Sequence, residues 1–359
     1  MDKTVTPSAK RVWPQDLEVF CIEAMLKSGL KEEHARITAE VLVKTDTMGV
    51  FTHGTRQLRP LMKNFRMGRL KSDVEPEVAA EGPAWTIIDG NYAMPMVTAT
   101  VAMRLAMEKA KAVGIAYSGV RHSSHFGAAG YYASMALAED MIGISTCNVE
   151  PCMTVPGARA KILGTNPIAY AVPAGKEKPV LMDIATSTVA ATKVFAARAV
   201  GKKIPGDWLV DDDGLPTTDP SRYPEEGALL PMAGHKGYGL ALFVEVLSAV
   251  LTGAAVTKEV SSWVLDVSDP TNEGHAFIAI HVGAMMPIEQ FKERMDRLIR
   301  EIREAPKAKG ADRIYLPGEM EWERREQALK EGIFLPDHVV LNLEGLAEDV
   351  GLDTRKLFK

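Results

Sequence analysis

Two histidine clusters carry residue types that can move a proton. Residues 49–59 read GVFTHGTRQLR and residues 121–132 read RHSSHFGAAGYY. In the first, His53 stands between Thr52 and Gly54. A histidine titrates near neutral pH, so it can give or take a proton when a carbonyl becomes an alcohol. A neighbouring hydroxyl can hold the ring, and the guanidinium groups of Arg56 and Arg59 suit a carboxylate. Taken alone, the segment reads as well with Thr52 capping a helix and His53 merely exposed. In the second, Gly127, Ala128, Ala129 and Gly130 remove side-chain bulk where a helix begins, with His125 at the rim. Backbone N–H groups there could approach a phosphate or a flat ring closely. Tight packing would ask for the same residues.

Other chemistries find less support. His122 and His125 are three apart, with Cys147 and Cys152 downstream, but no HExxH, no CxxC and no acidic cluster accompanies them. No metal centre is expected. No GxSxG elbow occurs, so Ser123 and Ser124 read as turn or cap residues rather than nucleophiles.

Three more stretches look like ligand loops. LGTNPIAYAVP (163–173) puts a polar turn before a strand, and MDIATS (182–187) puts Asp183 and Ser187 at the end of an apolar strand. Open α/β sheets bind ligands at such ends. AGHKGYG (233–239) sets His235 and Lys236 among glycines ahead of a helix. No GxGxxG follows a strand, so a nicotinamide cofactor would need a fold other than the usual dinucleotide-binding one.

The elements that must position these groups are legible in outline. Leu17, Phe20, Cys21, Ala24 and Met25 at helical spacing predict a helix after Pro14 closed by Gly29, and further helices are predicted over Glu32–Met48 and Gln57–Met67, closed by Gly49 and Gly68. From about residue 75 strands and helices alternate: TIIDG, the helix Met94–Val113, IAYSGV, a helix near Gly127–Glu139, then IGISTCNV, IAYAVP and PVLMDIA. That rhythm argues for an α/β core. A proline- and glycine-rich stretch over 204–227 reads as a long loop. Tyr238–Leu251 reads as a helix and HAFIAIHV as a strand. Pro287–Glu304 reads as a charged amphipathic helix, and short helices fill the tail. Three regions are expected: a helical module over 10–74, an α/β core over 75–286 carrying a mixed sheet, and C-terminal helices over 287–359 packing back on the first.

Bulk properties exclude several partners. The chain has 359 residues and a net charge of −5, with no Lys/Arg block to suggest nucleic acid or an anionic membrane. Apolar runs such as Tyr238–Val250 are too short or too polar to span a bilayer. The N-terminus shows no secretory pattern, and three cysteines without a paired framework fit a reducing compartment. A cytoplasmic location is expected.

In order along the chain, TDTMGVFTHG, SSHFGAAGYY, LGTNPIAYAVP, MDIATS, GHKGYGLAL and LPGE resemble one family. It comprises the malate/L-lactate/ureidoglycolate/sulfolactate dehydrogenase-like oxidoreductases, which bind NAD(P) on a non-Rossmann α/β fold. The resemblance runs from about residue 14 to 335. It implies a homodimeric NAD- or NADP-dependent dehydrogenase of small 2-hydroxy acids, or alternatively a reductase of cyclic ketimine acids. His53 then looks like the proton donor, with Thr52 as its neighbour and His125 as an alternative acid–base. The implied cofactor contacts are His125, Phe126, Gly127, Ala128, Asp183, Ile184, Ala185, His235, Lys236, Pro317, Gly318 and Glu319. Arg56, Gln57 and Arg59 are the expected substrate contacts. Two departures stand out: many members carry arginine where this chain has Gln57, and tyrosine where it has Leu61. They point to a substrate that is larger, differently charged, or anchored by Arg59 or Arg121.

Overall fold

Proline and glycine punctuate the helices as the sequence predicts. In the computed structural model, which describes residues 10–264, 269–355, 357 and 358, helix α1 (Pro14–Lys27) opens on a proline at its first turn. Gly29 follows it, and Gly49 follows α2 (Glu32–Thr47), both at positive φ. A 3-10 turn, Thr55–Gln57, leads into α3 (Leu58–Arg66).

Strands β2 (Glu77–Gly82) and β3 (Trp85–Asp89) precede the helix α4 (Pro95–Val113). Then come β4 (Ile115–Ser123), α5 (Ala129–Met135), β5 (Met141–Cys147), β6 (Ile168–Val172) and β7 (Val180–Ile184). After α6 (Ala191–Ala199), the segment read as a loop holds three two-residue strands: β8 (Leu209–Val210), β9 (Pro216–Thr217) and β10 (Ala228–Leu229). They pair in the order β10-β8-β9 over a second small core around Met153, Leu163 and Tyr223. Helix α7 (His235–Glu245) continues into a wider π turn at Val246–Val250. The chain closes with β11 (Glu273–His281), α8 (Ile288–Arg303), α9 (Glu319–Glu331), β12 (Ile333–Leu335) and α10 (Asp337–Val350).

The main sheet is mixed, in the order β2-β3-β4-β11-β5-β6-β7. Only β3 and β4 run parallel; every other neighbouring pair is antiparallel. This corrects the reason for expecting a ligand at Asp183. The crevice rule belongs to parallel sheets, whereas β7 is the antiparallel edge. Helix α4 lies flat on β4 and β11 because Ala99, Ala102, Ala106 and Ala110 form a fully buried stripe of minimal bulk.

Strand β1 (Lys10–Val12) pairs antiparallel with β12, tying the two ends of the described chain together. Helices α9 and α10 pack against α1, α2 and α3. Helix α8 meets the sheet side instead, where Asp296 accepts the backbone N–H groups of Gly175, Lys176 and Glu177 at 2.7–3.1 Å. A cleft opens between the helical group and the β7 side of the sheet.

Candidate active site

The turn after α2 presents His53, and a buried carboxylate holds that turn. Asp46 Oδ2 accepts the Thr55 backbone N–H at 3.0 Å and its hydroxyl at 2.5 Å. A Cβ on Gly54 would lie 1.9 Å from Asp46 Oδ1, so glycine is what lets the carboxylate sit under the turn. Burial pushes the Asp46 carboxyl up to about 7, against the two bonds from Thr55. Sequence reading placed Asp46 in a motif without assigning it this work.

Thr52 does not cap a helix. Its hydroxyl shares a 2.8 Å hydrogen bond with His53 Nδ1, and the capping position of the following turn belongs to Gly54. His53 is half-buried rather than exposed. Burial, and then the charge of Arg56, pull its pKa down to about 4, so the ring is neutral at pH 7. The Gln57 side-chain amide, at the end of the 3-10 turn, donates back to the Thr52 carbonyl and braces the same segment.

His125 faces His53 with ring centroids 5.5 Å apart. Its other neighbour is Trp263, stacked at 4.4 Å and 13°. His125 Nε2 is buried without a partner, and burial holds the ring well below the ordinary histidine range, as do His53 and His275 nearby. Trp263 escaped the sequence reading because nothing local to residues 256–272 marks it.

These residues line one cleft of about 1880 Å³. Thr52, His53, Arg56 and Gln57 form one end; His125, Phe126, Gly127 and Ala128 form a wall; Asp183, Ile184, Ala185, Pro317 and Gly318 line the other arm. The volume exceeds the roughly 300–1,000 Å³ of an ordinary ligand pocket. It has room for a dinucleotide and a small acid together. Gly318 sits at φ +85 with Leu181 where a Cβ would go, so glycine is what lets this loop pack closely on β7.

Several expected contacts lie elsewhere. The Gly130 N–H, expected to be free at a helix start, donates to Asp183 at 2.7 Å, and burial raises the Asp183 carboxyl to about 6. The Phe126 ring is core, stacked between Tyr132 and His275, so that residue can offer the cleft little beyond backbone. His235 and Lys236 are exposed at the start of α7, away from the cleft wall. Glu319 is buried in ion pairs with Arg303 and Arg313. Arg59 is off the wall, bound to Asp349 at 3.0 and 3.1 Å. Arg121 and His122 both pair with Asp89, so His122 takes no part with His125.

One polar cluster was invisible to spacing. Cys147, Glu273 and His275 meet behind Phe126, brought together by the pairing of β5 with β11. His275 Nε2 donates to the Ser124 carbonyl at 3.1 Å, and burial lowers its pKa to about 3. Burial likewise pushes Glu273 well above the carboxylate range. The cluster backs the wall that carries His125, through the His275 ring stacked on Phe126.

Known proteins resemble this chain over nearly its whole length. A family profile described as malate/L-lactate dehydrogenase matches residues 12–344. The chain is 38% identical over 340 residues to an L-sulfolactate dehydrogenase of Methanocaldococcus jannaschii, covering 95% of this chain and 97% of that one. It is 31% identical to a Delta(1)-pyrroline-2-carboxylate/Delta(1)-piperideine-2-carboxylate reductase of Pseudomonas putida, over 98% and 100% of the two chains. Among solved structures, a malate dehydrogenase from Pyrococcus horikoshii OT3 superposes with a TM-score of 0.89 at 36% identity, covering 98% and 99%.

Proposed function

We propose a site chemistry from one premise: this chain belongs to the malate/L-lactate dehydrogenase family. It is an oxidoreductase that moves a hydride between NAD or NADP and a small 2-hydroxy or 2-oxo acid. What stays ours is the assignment of residues. The observation that carries it is the meeting of His53, Thr52, His125 and Arg56 at one end of a cleft large enough for both ligands.

The cofactor supplies and takes back the hydride, so the protein has to orient, desolvate and move one proton. His125, Gly127, Ala128, Asp183, Ile184, Ala185, Pro317 and Gly318 would hold it; the buried, unpartnered His125 Nε2 on the cleft wall fits such a group. Phe126 would contribute backbone.

His53 moves the proton. With Nδ1 held by the Thr52 hydroxyl, Nε2 is the nitrogen left to meet the substrate oxygen. The neutral ring is ready to accept a proton from an alcohol. Arg56 anchors the substrate carboxylate, since it lines the cleft close enough to His53 to depress its pKa. An anion on Arg56 cancels that charge, which makes His53 easier to protonate when a 2-oxo acid is bound. The same group therefore serves both directions.

The test is consumption of NADH and NADPH with a panel of 2-oxo acids. Turnover with an oxo acid supports the 2-oxo acid reading. Turnover with cyclic ketimine acids alone would favour the imine-reductase reading, for which the Pseudomonas putida relative speaks.

The same reading makes the protein a cytoplasmic homodimer. No helix among the described residues is long and apolar enough to cross a membrane. Leu242, Phe243, Val250 and Leu251 leave an apolar face exposed along α7 and its π turn, and a second copy would cover it. Light scattering at micromolar concentration tests this; a monomer would contradict it.

A further inference from the structure

We infer that the substrate pocket selects a 2-oxo acid with one carboxylate and an uncharged, apolar tail. This rests on the 2-oxo acid reading above and narrows it.

The first support is the count of cations at the reacting end. Gln57 and Leu61, on the turn and helix that follow His53, bring no positive charge. Gln57 is spent on the Thr52 carbonyl and Leu61 is fully buried in the core. Arg59 and Arg121 are held by Asp349 and Asp89, off the cleft wall. Among the described residues, Arg56 is the cation that faces His53. The other cleft cations stand elsewhere: Lys44 pairs with Glu40, Lys111 with Glu139, and Arg325 donates to the Thr47 hydroxyl. Arg104 stands beside Tyr131, and Lys161 reaches the Pro224 carbonyl.

The second support is the wall beside His125. Trp263 stacks on that ring, with Val260 and Val264 on the same segment and Pro60 also lining the cleft. The wall is fixed rather than loose. Asn64 donates to the Trp263 carbonyl at 3.0 Å, and Arg69 donates to the Ser262 carbonyl at 3.1 Å. Ser262 in turn donates to Glu150 at 3.0 Å, an acid that lines the cleft, while the Arg69 guanidinium stays off the lining, held by Asn64 and the Ser262 and Asp269 carbonyls. A second carboxylate or a sulfonate on the substrate would lose its water here against indole and valine, with no cation to meet it. An apolar tail would instead gain from the contact.

The experiment compares kcat/KM for phenylpyruvate and pyruvate with oxaloacetate and sulfopyruvate, with pyrroline-2-carboxylate as the imine control. We expect phenylpyruvate to exceed both dianions by roughly tenfold or more, the range one apolar contact supplies. Trp263→Arg should lower that ratio at least about tenfold. If that variant does not fold, Val264→Arg, at a half-exposed position, makes the same change. An active enzyme that prefers oxaloacetate or sulfopyruvate overturns the tail assignment and leaves the 2-oxo acid reading intact. Turnover of the imine alone, or of none of the five, overturns both. A ratio unmoved in folded, active Trp263→Arg and Val264→Arg removes this wall from specificity.

Discussion

The Thr52 hydroxyl and His53 Nδ1 lie 2.8 Å apart, so the group proposed to move the proton is oriented by its own chain neighbour. Asp46 in turn fixes the turn that carries both. The two arrangements can be perturbed separately.

Removing the Asp46 side chain should cost stability in a way that depends on what replaces it. Asp46→Ala strands the buried Thr55 N–H and hydroxyl, a loss of about 1–3 kcal/mol. Asp46→Asn keeps an acceptor. The folded carboxyl sits at about 7 against 3.8 unfolded. Its contribution is therefore full below the unfolded value and lost as pH rises toward 7. Denaturant melts should show Asp46→Asn gaining on the parent between these values and running parallel above them. A constant offset across that range would contradict the shift.

The pH dependence of oxidation follows from a neutral His53. A base at about 4 is already deprotonated through the neutral range. For the free enzyme, kcat/KM with a 2-hydroxy acid should stay level from about pH 8 to about pH 5 and fall below that. A fall centred near the ordinary histidine value would mean that the base is not this ring as placed.

Arg56→Met should raise KM for 2-oxo acids and lower kcat/KM by about 10–100-fold, the range of a charge-assisted hydrogen bond. It should also move the acid limb of oxidation upward, because the Arg56 charge helps to depress His53. An acid limb that stays in place would separate the two residues.

His125→Ala should weaken cofactor binding, since it removes the ring stacked on Trp263 at the cleft wall. Titration of NADH or NADPH by fluorescence measures this. An unaltered dissociation constant would place His125 outside that site.

Helices were the part most open to sequence reading. Periodic apolar residues bounded by Pro14, Gly29, Gly49 and Gly68 leave little freedom in where α1, α2 and α3 begin and end. The sheet order was not legible. Strand β11 inserts between β4 and β5 from more than a hundred residues downstream, and such a pairing leaves no local mark. Strands β8, β9 and β10, two residues each, are too short to show alternation. At the site, His53 and His125 stood out by type, yet Trp263 reaches His125 only through the tertiary fold. The same folding turned Phe126 into core and tied Glu319 and Arg59 into ion pairs, which residue type cannot reveal.

The central claim is that His53 transfers the proton while other groups hold the cofactor. The most direct measurement compares His53→Ala with the parent enzyme, pairing turnover of a 2-oxo acid with the cofactor dissociation constant. We expect turnover to fall at least about 100-fold, as for loss of a general acid, with cofactor affinity unchanged. Turnover that persists at the parent rate would take His53 out of the mechanism and leave His125 as the acid–base.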